Sequence, residues 1–200
     1  GDSDKPATTE AYTNSAMARD LVALVEHLNL DDVGVLGFSM GAVVTMKLLV
    51  LAPRQLTSAV LAGVGDYILA GVPMNLPKHL PLPHYLPKPL TMRAHALAGA
   101  DVLDGGQVVA GNVLSGYVIT ARAAGVNPES WAAALRGEMA EQVTTEDAQK
   151  IRVPVLIVNG TGDVANQSVE ELLRAIPTAD AASCDGDHGS TPFQPAFQRI

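Results

Sequence analysis

The sequence predicts an α/β fold in which about four parallel strands are flanked by helices, with a mostly helical insertion. Short apolar segments of strand length alternate with segments of helical length along much of the chain. Two of the apolar segments, at 33–36 and 56–63, are separated by a helical segment, which is the connection that parallel strands require. Polar, glycine-containing turns follow several of the predicted strands, as they do where open parallel sheets bind ligands.

The composition limits the class of protein. The chain has 200 residues, of which 48% are hydrophobic and 17% charged, which is enough for one packed domain with an insertion. A formal net charge of −8 and an aromatic content of 4% argue against nucleic acid or an anionic membrane as a partner. No apolar run reaches the roughly 20 residues of a membrane span. The single cysteine, Cys184, excludes an internal disulfide and fits a reducing compartment such as the cytoplasm.

The first part of the core is predicted to comprise residues 1–66. An amphipathic helix is expected from about 13 to 29, because apolar residues recur there on one helical face. These residues are Met17, Leu21, Leu24, Val25 and Leu28. A buried strand at 33–36, a helix at 42–51 and a second buried strand at 56–63 follow.

Residues 67–149 are interpreted as an inserted lid. Six prolines lie between 73 and 93, and they are incompatible with a regular central helix or strand. The leucines and methionines among these prolines are too apolar for a solvated linker. Helical stretches interrupted by glycines are expected from about 92 to 146. The alternative for the whole segment is a loosely ordered loop.

The second part of the core is predicted to comprise residues 150–200. A buried strand is expected at 153–159 and a short helix at 167–176. A weaker strand follows at 179–185. The Thr-Pro pair at 191–192 is predicted to begin a final helix, since proline is favoured at the first helical position.

The segment Gly37-Phe38-Ser39-Met40-Gly41 connects the first strand to its helix with G-x-S-x-G spacing. So tight a turn is predicted to hold Ser39 at strained dihedral angles with its hydroxyl above the sheet edge. We expect glycine at 37 and 41 because a Cβ at either position would collide with the neighbouring strand or helix. The Met40 N–H would lie at a helix N-terminus, where it can stabilise an oxyanion. The alternative is that Ser39 only caps the helix.

A serine hydroxyl attacks a carbonyl only when a general base accepts its proton and a carboxylate orients that base. Asp163 and His188 each follow a predicted strand, as Ser39 does. Because the carboxyl ends of parallel strands meet at one edge of a sheet, the three side chains are expected to lie together. Ser39 is therefore the candidate nucleophile, His188 the candidate base and Asp163 the candidate acid.

Other residues compete for these roles. Asp66 also follows a strand and is the alternative acid, although Asp163 is favoured by its Gly-x-x-Asp turn. Asp187 is expected to face solvent because adjacent side chains in an extended loop point apart. Asp185 is compatible with a surface turn. The remaining histidines lack the spacing of metal ligands, so no metal site is expected. They are His27, His79, His84 and His95.

Three segments together resemble the α/β-hydrolase superfamily. They are GFSMG at 37–41, VPVLIVNGTGD at 153–163 and GDHGSTP at 186–192. The similarity is to the branch of small esterases, haloperoxidase-like perhydrolases and enol-lactonases, and GDSDKP at 1–6 resembles the loop after the family's fourth strand. The resemblance implies the same serine, aspartate and histidine roles, with the Met40 N–H as one oxyanion donor.

The resemblance also implies an activity. The expected reaction is hydrolysis of a small apolar ester, thioester or lactone through an acyl-serine, without a metal or organic cofactor. Perhydrolysis, C–C bond hydrolysis and a non-catalytic binding protein of the same fold are alternatives. The family's sheet has more strands than the four expected here. The chain is therefore expected to be a fragment truncated at both ends, with an apolar open edge at the elbow strand and no activity by itself.

Overall fold

The computed structural model describes residues 3–51, 54–73, 92–105, 123–163, 166 and 168–200. These residues form one sheet of four parallel strands in the spatial order β1-β2-β3-β4. The strands are β1 (Val33–Phe38), β2 (Leu56–Ala62), β3 (Val155–Gly160) and β4 (Ala179–Cys184). The predicted α/β class and the parallel pairing of four strands are confirmed.

Six α-helices are found in the described residues. They are α1 (Asn14–His27), α2 (Met40–Leu51), α3 (Met92–Leu103), α4 (Pro128–Glu138), α5 (Thr145–Ala148) and α6 (Glu170–Ala175). Short 3-10 helices lie at Thr9–Tyr12, Asp66–Ile68, Thr191–Phe193 and Phe197–Arg199. None of the helices built by the described segments has both the length and the apolar character needed to cross a membrane.

The main core lies between α2 and one face of the sheet. Residues on that face of the strands, such as Leu61 in β2 and Ile157 in β3, are almost completely buried. Met46 of α2 and Leu172 of α6 join the same cluster. Because side chains alternate along a strand, the opposite face carries a separate apolar group. That group contains Ala62, Val158, Cys184 and Phe197, with Phe38, Val60 and Leu156 packed against it.

The described part of the predicted insertion is mostly helical. Helices α3 and α4 pack on each other through a small cluster of alanine, leucine and methionine side chains. Helix α4 also packs against the 3-10 helix Thr9–Tyr12, where the backbone approaches closely at Gly137. The proline-rich stretch of the prediction lies outside the described residues except for Pro73 and the start of α3.

The buried face of α1 matches the predicted one in part, since Met17 and Leu21 pack against the core. Leu24 and Leu28 are about half exposed, whereas Ala18 is completely buried. Helical periodicity places Val22 beside Ala18, one turn apart, and Val22 packs against the core. The sequence pattern therefore located the helix and the first part of its inward face correctly, and it was wrong about Leu24 and Leu28.

The predicted final helix is wrong. Residues after 190 form two 3-10 turns instead of an α-helix. Gln194 is extended, with φ −74° and ψ 136°, because it precedes Pro195. A residue before proline is disfavoured in the α region, so the chain leaves the helical conformation there.

Strand β1 has an open edge in the described part of the chain. Its ladder of hydrogen bonds runs to β2, and the sheet order places it at the margin. Leu36 in this strand is 49% exposed. This agrees with the expected apolar edge at the elbow strand.

Candidate active site

The turn between β1 and α2 holds Ser39 in a left-handed conformation. Its φ of +54° is unfavourable for a residue with a Cβ, so the turn stores strain at this position. The Ser39 N–H donates to the Ala62 carbonyl at 2.8 Å, and the Ser39 carbonyl accepts from the Ala42 N–H at 2.9 Å. The predicted strain at Ser39 is confirmed, and these bonds attach the turn to β2 on one side and to α2 on the other.

The two glycines of the elbow are not equivalent. A Cβ at Gly37 would lie 2.3 Å from the Gly41 carbonyl oxygen and 2.5 Å from Thr45 Oγ1, so glycine is required there. The predicted collision at Gly41 is wrong. A Cβ at this position would meet no atom of the described residues within 4 Å.

Ser39, His188 and Asp163 meet at the carboxyl edge of the sheet. Ser39 follows β1, Asp163 follows β3 and His188 follows β4. The distance from His188 Nε2 to Ser39 Oγ is 2.9 Å, and that from His188 Nδ1 to Asp163 Oδ2 is 2.7 Å. Both distances are within hydrogen-bond range. The structure therefore brings together all three side chains that the sequence singled out.

The chemistry of the three groups fixes the direction of these bonds. An ionised carboxylate can only accept, so His188 Nδ1 carries a proton and donates it to Asp163. His188 Nε2 is then free to accept from the Ser39 hydroxyl. Asp163 is 3% exposed, while the His188 side chain is 45% exposed. The acid is shielded from water, and the imidazole reaches the surface where a substrate can approach.

Backbone hydrogen bonds hold the acid loop against the histidine loop. The Thr161 N–H donates to the Cys184 carbonyl and the Gly162 N–H to the Gly186 carbonyl, both at 2.8 Å. Gly186 has φ +119°, a conformation that favours glycine. The loops after β3 and β4 are therefore joined immediately before Asp163 and His188.

Two aromatic rings, Phe38 and Phe197, pack in series beside the imidazole of His188. The ring centroids of Phe38 and His188 are 5.1 Å apart, and Phe197 meets Phe38 edge to face at 6.2 Å. Gly63, with φ +64°, lies beside both rings. A Cβ there would come within 2.8 Å of Phe38 and 3.2 Å of His188. Phe38, the residue before Ser39 in the elbow motif, thus contributes to the placement of His188.

The Met40 N–H has the position expected of an oxyanion donor. Met40 is the first residue of α2, and the first N–H groups of a helix have no intrahelical acceptor. The helix dipole adds to their attraction for negative charge. The Met40 side chain is 46% exposed next to Ser39, so an approaching substrate would contact it.

The competing aspartates have other partners. Asp66 Oδ1 accepts from the Leu172 N–H at 2.9 Å and Oδ2 from Ser168 Oγ at 2.7 Å, so this carboxylate caps α6. Asp187 accepts from the N–H groups of Gly189 and Ser190, and it closes its own turn. Asp185 is exposed.

The remaining candidates lie apart from the three residues. His27 is exposed on α1, whereas His79, His84 and the side chain of His95 lie outside the described residues. Cys184 is a buried free thiol at the end of β4. Burial, with a smaller contribution from the charge of Asp185, raises the pKa of Cys184 and keeps the thiol neutral.

The sequence analysis missed three polar residues behind Asp163. Asn166 contacts both carboxylate oxygens of Asp163, and Tyr67 contacts Asn166. Asn159 donates to the backbone carbonyls of Val64 and Asn166. The signal available in the sequence was a small amide residue three positions after the acid. Nothing in the sequence connects that amide to Tyr67, which is 99 residues away.

Comparisons with known proteins agree with this fold. Residues 1–87 match a family model described as "alpha/beta hydrolase fold". The esterase EaEST from Exiguobacterium antarcticum has a TM-score of 0.66 and 19% identity, covering 100% of this chain and 74% of its own. The enol-lactonase from Burkholderia xenovorans LB400 has a TM-score of 0.64 and 22% identity, covering 100% and 74%.

A curated relative matches a shorter segment. The Mycobacterium tuberculosis protein named "Putative non-heme bromoperoxidase BpoC" is 42% identical over 52 residues. The match covers 26% of this chain and 20% of the relative, so this chain spans about a fifth of that protein's length. The family model matches residues 1–87, and the two solved structures, each below 25% identity, share the fold of this chain, so the comparisons show that the chain has an α/β-hydrolase fold.

Proposed function

We propose that this protein is a serine hydrolase that cleaves a small apolar carboxylic ester, thioester or lactone through an acyl-serine intermediate. The observation that supports this most strongly is the continuous contact from Ser39 to His188 to Asp163, at 2.9 and 2.7 Å. Nucleophile, base and acid follow one another in the order that activation of a serine requires.

In the proposed reaction, His188 Nε2 takes the hydroxyl proton while Ser39 Oγ attacks the substrate carbonyl carbon. The Met40 N–H donates to the resulting oxyanion. Collapse of the tetrahedral intermediate expels the alcohol, thiol or lactone oxygen, which receives the proton from His188. Water then repeats the sequence on the acyl-serine and regenerates the Ser39 hydroxyl. Asp163 stabilises the imidazolium in both halves of the reaction.

The apolar substrate class is supported by what surrounds the serine. Phe38 and the half-exposed Met40 flank Ser39 in the elbow. We propose that residues 67–149 form a lid whose apolar side chains complete the acyl pocket, between core segments 1–66 and 150–200. The names of the two solved structures, an esterase and an enol-lactonase, support ester and lactone substrates.

Perhydrolysis is the second candidate. Hydrogen peroxide would replace water in attack on the acyl-serine and release a peracid. The 52-residue similarity to a protein named as a bromoperoxidase favours it. C–C bond hydrolysis and ligand binding without chemistry remain the further alternatives, with no specific contact in their favour.

We also propose that the 200 residues alone are inactive towards esters. Among the described residues we identify one oxyanion donor, the Met40 N–H, and β1 is paired on one edge. The free, buried Cys184 supports a cytoplasmic location. Ester turnover by these 200 residues above that of their Ser39→Ala variant would refute the proposed inactivity.

The test is hydrolysis of p-nitrophenyl acetate, butyrate and octanoate by the complete gene product that contains these residues. We expect the butyrate to be cleaved at a rate that falls at least 10³-fold in Ser39→Ala. An acyl adduct should be trapped on Ser39 by acid quenching and identified by peptide mass. Equal turnover by Ser39→Ala would overturn the proposal. Peracid formation in added peroxide, faster than hydrolysis, would favour the second candidate.

A further inference from the structure

We propose that Asn166, held by Tyr67, is a positioning residue that fixes the Asp163 carboxylate against His188. The inference rests on the proposed function, because it assigns a further residue to the same site. It is carried by the hydrogen bonds of Asn166, which do not involve Ser39 or a substrate.

Asn166 contacts both the side chain and the backbone of Asp163. Its Nδ2 lies 2.8 Å from Asp163 Oδ1 and 2.8 Å from Oδ2, and its backbone N–H donates to the Asp163 carbonyl at 3.0 Å. Both residues are 3% exposed. The carboxylate therefore receives the amide and the imidazole as donors in a place where water has little access.

The chemistry of the acid fixes the orientation of the Asn166 amide. An ionised carboxylate only accepts, so the nitrogen of the amide faces Asp163. Asn166 Nδ2 also lies 3.1 Å from His188 Nδ1, and in the reactive tautomer both nitrogens are donors that converge on Asp163. The Asn166 oxygen then faces the opposite way, where it accepts from the Tyr67 hydroxyl.

The Asn166 backbone is held by a second amide. Asn159, at the end of β3, donates from Nδ2 to the carbonyls of Asn166 and Val64. Its Oδ1 accepts from the Val64 N–H at 3.1 Å. Asn166 is thus tied to the ends of β2 and β3 at the same time, which gives its side chain a fixed base from which to hold the carboxylate.

Removing the Asn166 amide should release Asp163. The carboxylate would lose a donor to each oxygen and could rotate away from His188 Nδ1. The imidazole would then sample tautomers and orientations in which Nε2 cannot accept from Ser39. Because misplacing a catalytic group by about 1 Å can cost 10²-fold, we expect kcat to fall by about 10- to 100-fold in Asn166→Ala. KM should change less than about twofold, since Asn166 lies behind the acid and away from the substrate.

Asn166→Asp distinguishes positioning from simple packing. The new side chain has nearly the same shape, and it can donate to Asp163 only while the carboxyl pair keeps one proton. We expect Asn166→Asp to lose at least as much kcat as Asn166→Ala, because the new side chain fills the same space but cannot donate to an ionised Asp163. Near-normal kcat in Asn166→Asp would show that the shape of the side chain suffices and that its donor groups do not matter. Tyr67→Phe should give a smaller loss of about threefold.

Asn14→Ala is the matched control. Asn14 is also a fully buried asparagine, and its Nδ2 donates to the carbonyls of Glu138 and Glu141, away from the site. We expect this variant to lose stability without changing kcat or its pH dependence. Equal kcat losses in Asn14→Ala and Asn166→Ala would show that Asn166 acts only through stability, and the proposal would be wrong.

A second readout does not depend on turnover. The His188 Nδ1–H bonded to Asp163 should give a downfield proton resonance in the complete gene product, and Asn166→Ala should broaden or remove it while Asn14→Ala retains it. Persistence of this resonance in Asn166→Ala, with kcat within about twofold, would overturn the positioning role and leave the proposed function intact. If Asn166→Ala loses the resonance while Ser39→Ala keeps full turnover, the positioning role is supported and the proposed function is refuted.

Discussion

Two regions of this molecule bury a carboxyl group beside an asparagine, and they treat it differently. At the sheet edge, Asp163 is 3% exposed and accepts hydrogen bonds from Asn166 and His188. At the end of α4, Glu138 is 2% exposed and lies near Asn14, whose amide bonds to the Glu138 backbone and not to its side chain.

The second carboxyl group has no comparable donors. Glu138 Oε1 and Asn14 Oδ1 are both buried without a hydrogen-bond partner among the described residues. Burial raises the pKa of Glu138 from its ordinary value of 4.5 to about 7. A proton on this carboxyl removes the cost of a buried, unpaired charge.

The difference shows that burial alone does not mark a functional acid. What distinguishes Asp163 is the set of donors directed at it, one of which belongs to an imidazole that also reaches Ser39. Glu138 has the burial without the donors, so its protonation affects stability and not chemistry. Four experiments test this comparison, ordered from the largest expected effect to the smallest.

Replacing each acid by its amide should separate the two regions most strongly. Asp163→Asn should lower kcat/KM for p-nitrophenyl butyrate by about 10³- to 10⁴-fold, because an amide no longer favours the reactive tautomer of His188. Glu138→Gln should change kcat/KM by less than about twofold. Both are measured in the complete gene product, and comparable losses in the two variants would erase the distinction between the regions.

The pH dependence of stability should be controlled by Glu138. Its raised pKa means that the folded state keeps a proton that the unfolded state has lost, so the stabilisation is complete below pH 4.5 and is lost as pH rises to about 7. The expected total is about 3 kcal/mol. Urea unfolding at about pH 5 and pH 8 should show this decrease, and Glu138→Gln should lack it.

In this second test the informative quantity is the difference between the two proteins, since other groups titrate in both. An equal decrease in Glu138→Gln would mean that Glu138 is not the group responsible.

Asn14→Leu should have a smaller effect, on stability only. The change removes the donor to two backbone carbonyls and also removes one unpaired buried oxygen, so the two contributions partly offset each other. We expect a loss of about 1–2 kcal/mol in urea unfolding. A fall in kcat beyond about twofold at full occupancy of the folded state would show that this region is coupled to Ser39.

The smallest expected effect is that of Gly41→Ala on stability, and Gly37→Ala is its control. Gly41→Ala should change stability by less than about 0.5 kcal/mol, because the added Cβ meets nothing among the described residues. Gly37→Ala should be strongly destabilising, since its Cβ would overlap the Gly41 carbonyl. Thermal unfolding of both variants measures this, and a large loss in Gly41→Ala would indicate a close neighbour beyond the described residues.

The fold could be predicted from the sequence because its strands are short, apolar and separated by helices, which leaves parallel pairing as the natural arrangement. The three residues of the site followed from the same reasoning, since Ser39, Asp163 and His188 each come directly after a strand. Local features that depend on a single neighbour were less predictable. Pro195 stopped the final helix by extending Gln194, and two of the leucines predicted to face inward from α1, Leu24 and Leu28, are half exposed.

The polar contacts behind the acid could not be predicted, and neither could the burial of Glu138. The bond between Tyr67 and Asn166 joins residues 99 positions apart, and that between Asn14 and Glu138 joins residues 124 apart. Both exist only after packing is complete. The sequence carries these residues as ordinary polar positions, with no spacing that distinguishes a hydrogen-bonded group from an unpaired one.

The most direct test of the central claim is to map the site of covalent labelling by a fluorophosphonate probe in the complete gene product. We expect one adduct per chain, on the peptide that contains Ser39, with labelling abolished in Ser39→Ala and strongly slowed in His188→Ala. No labelling of the unmodified protein above the alanine control, or an adduct that persists in Ser39→Ala, would contradict the assignment of Ser39 as the nucleophile.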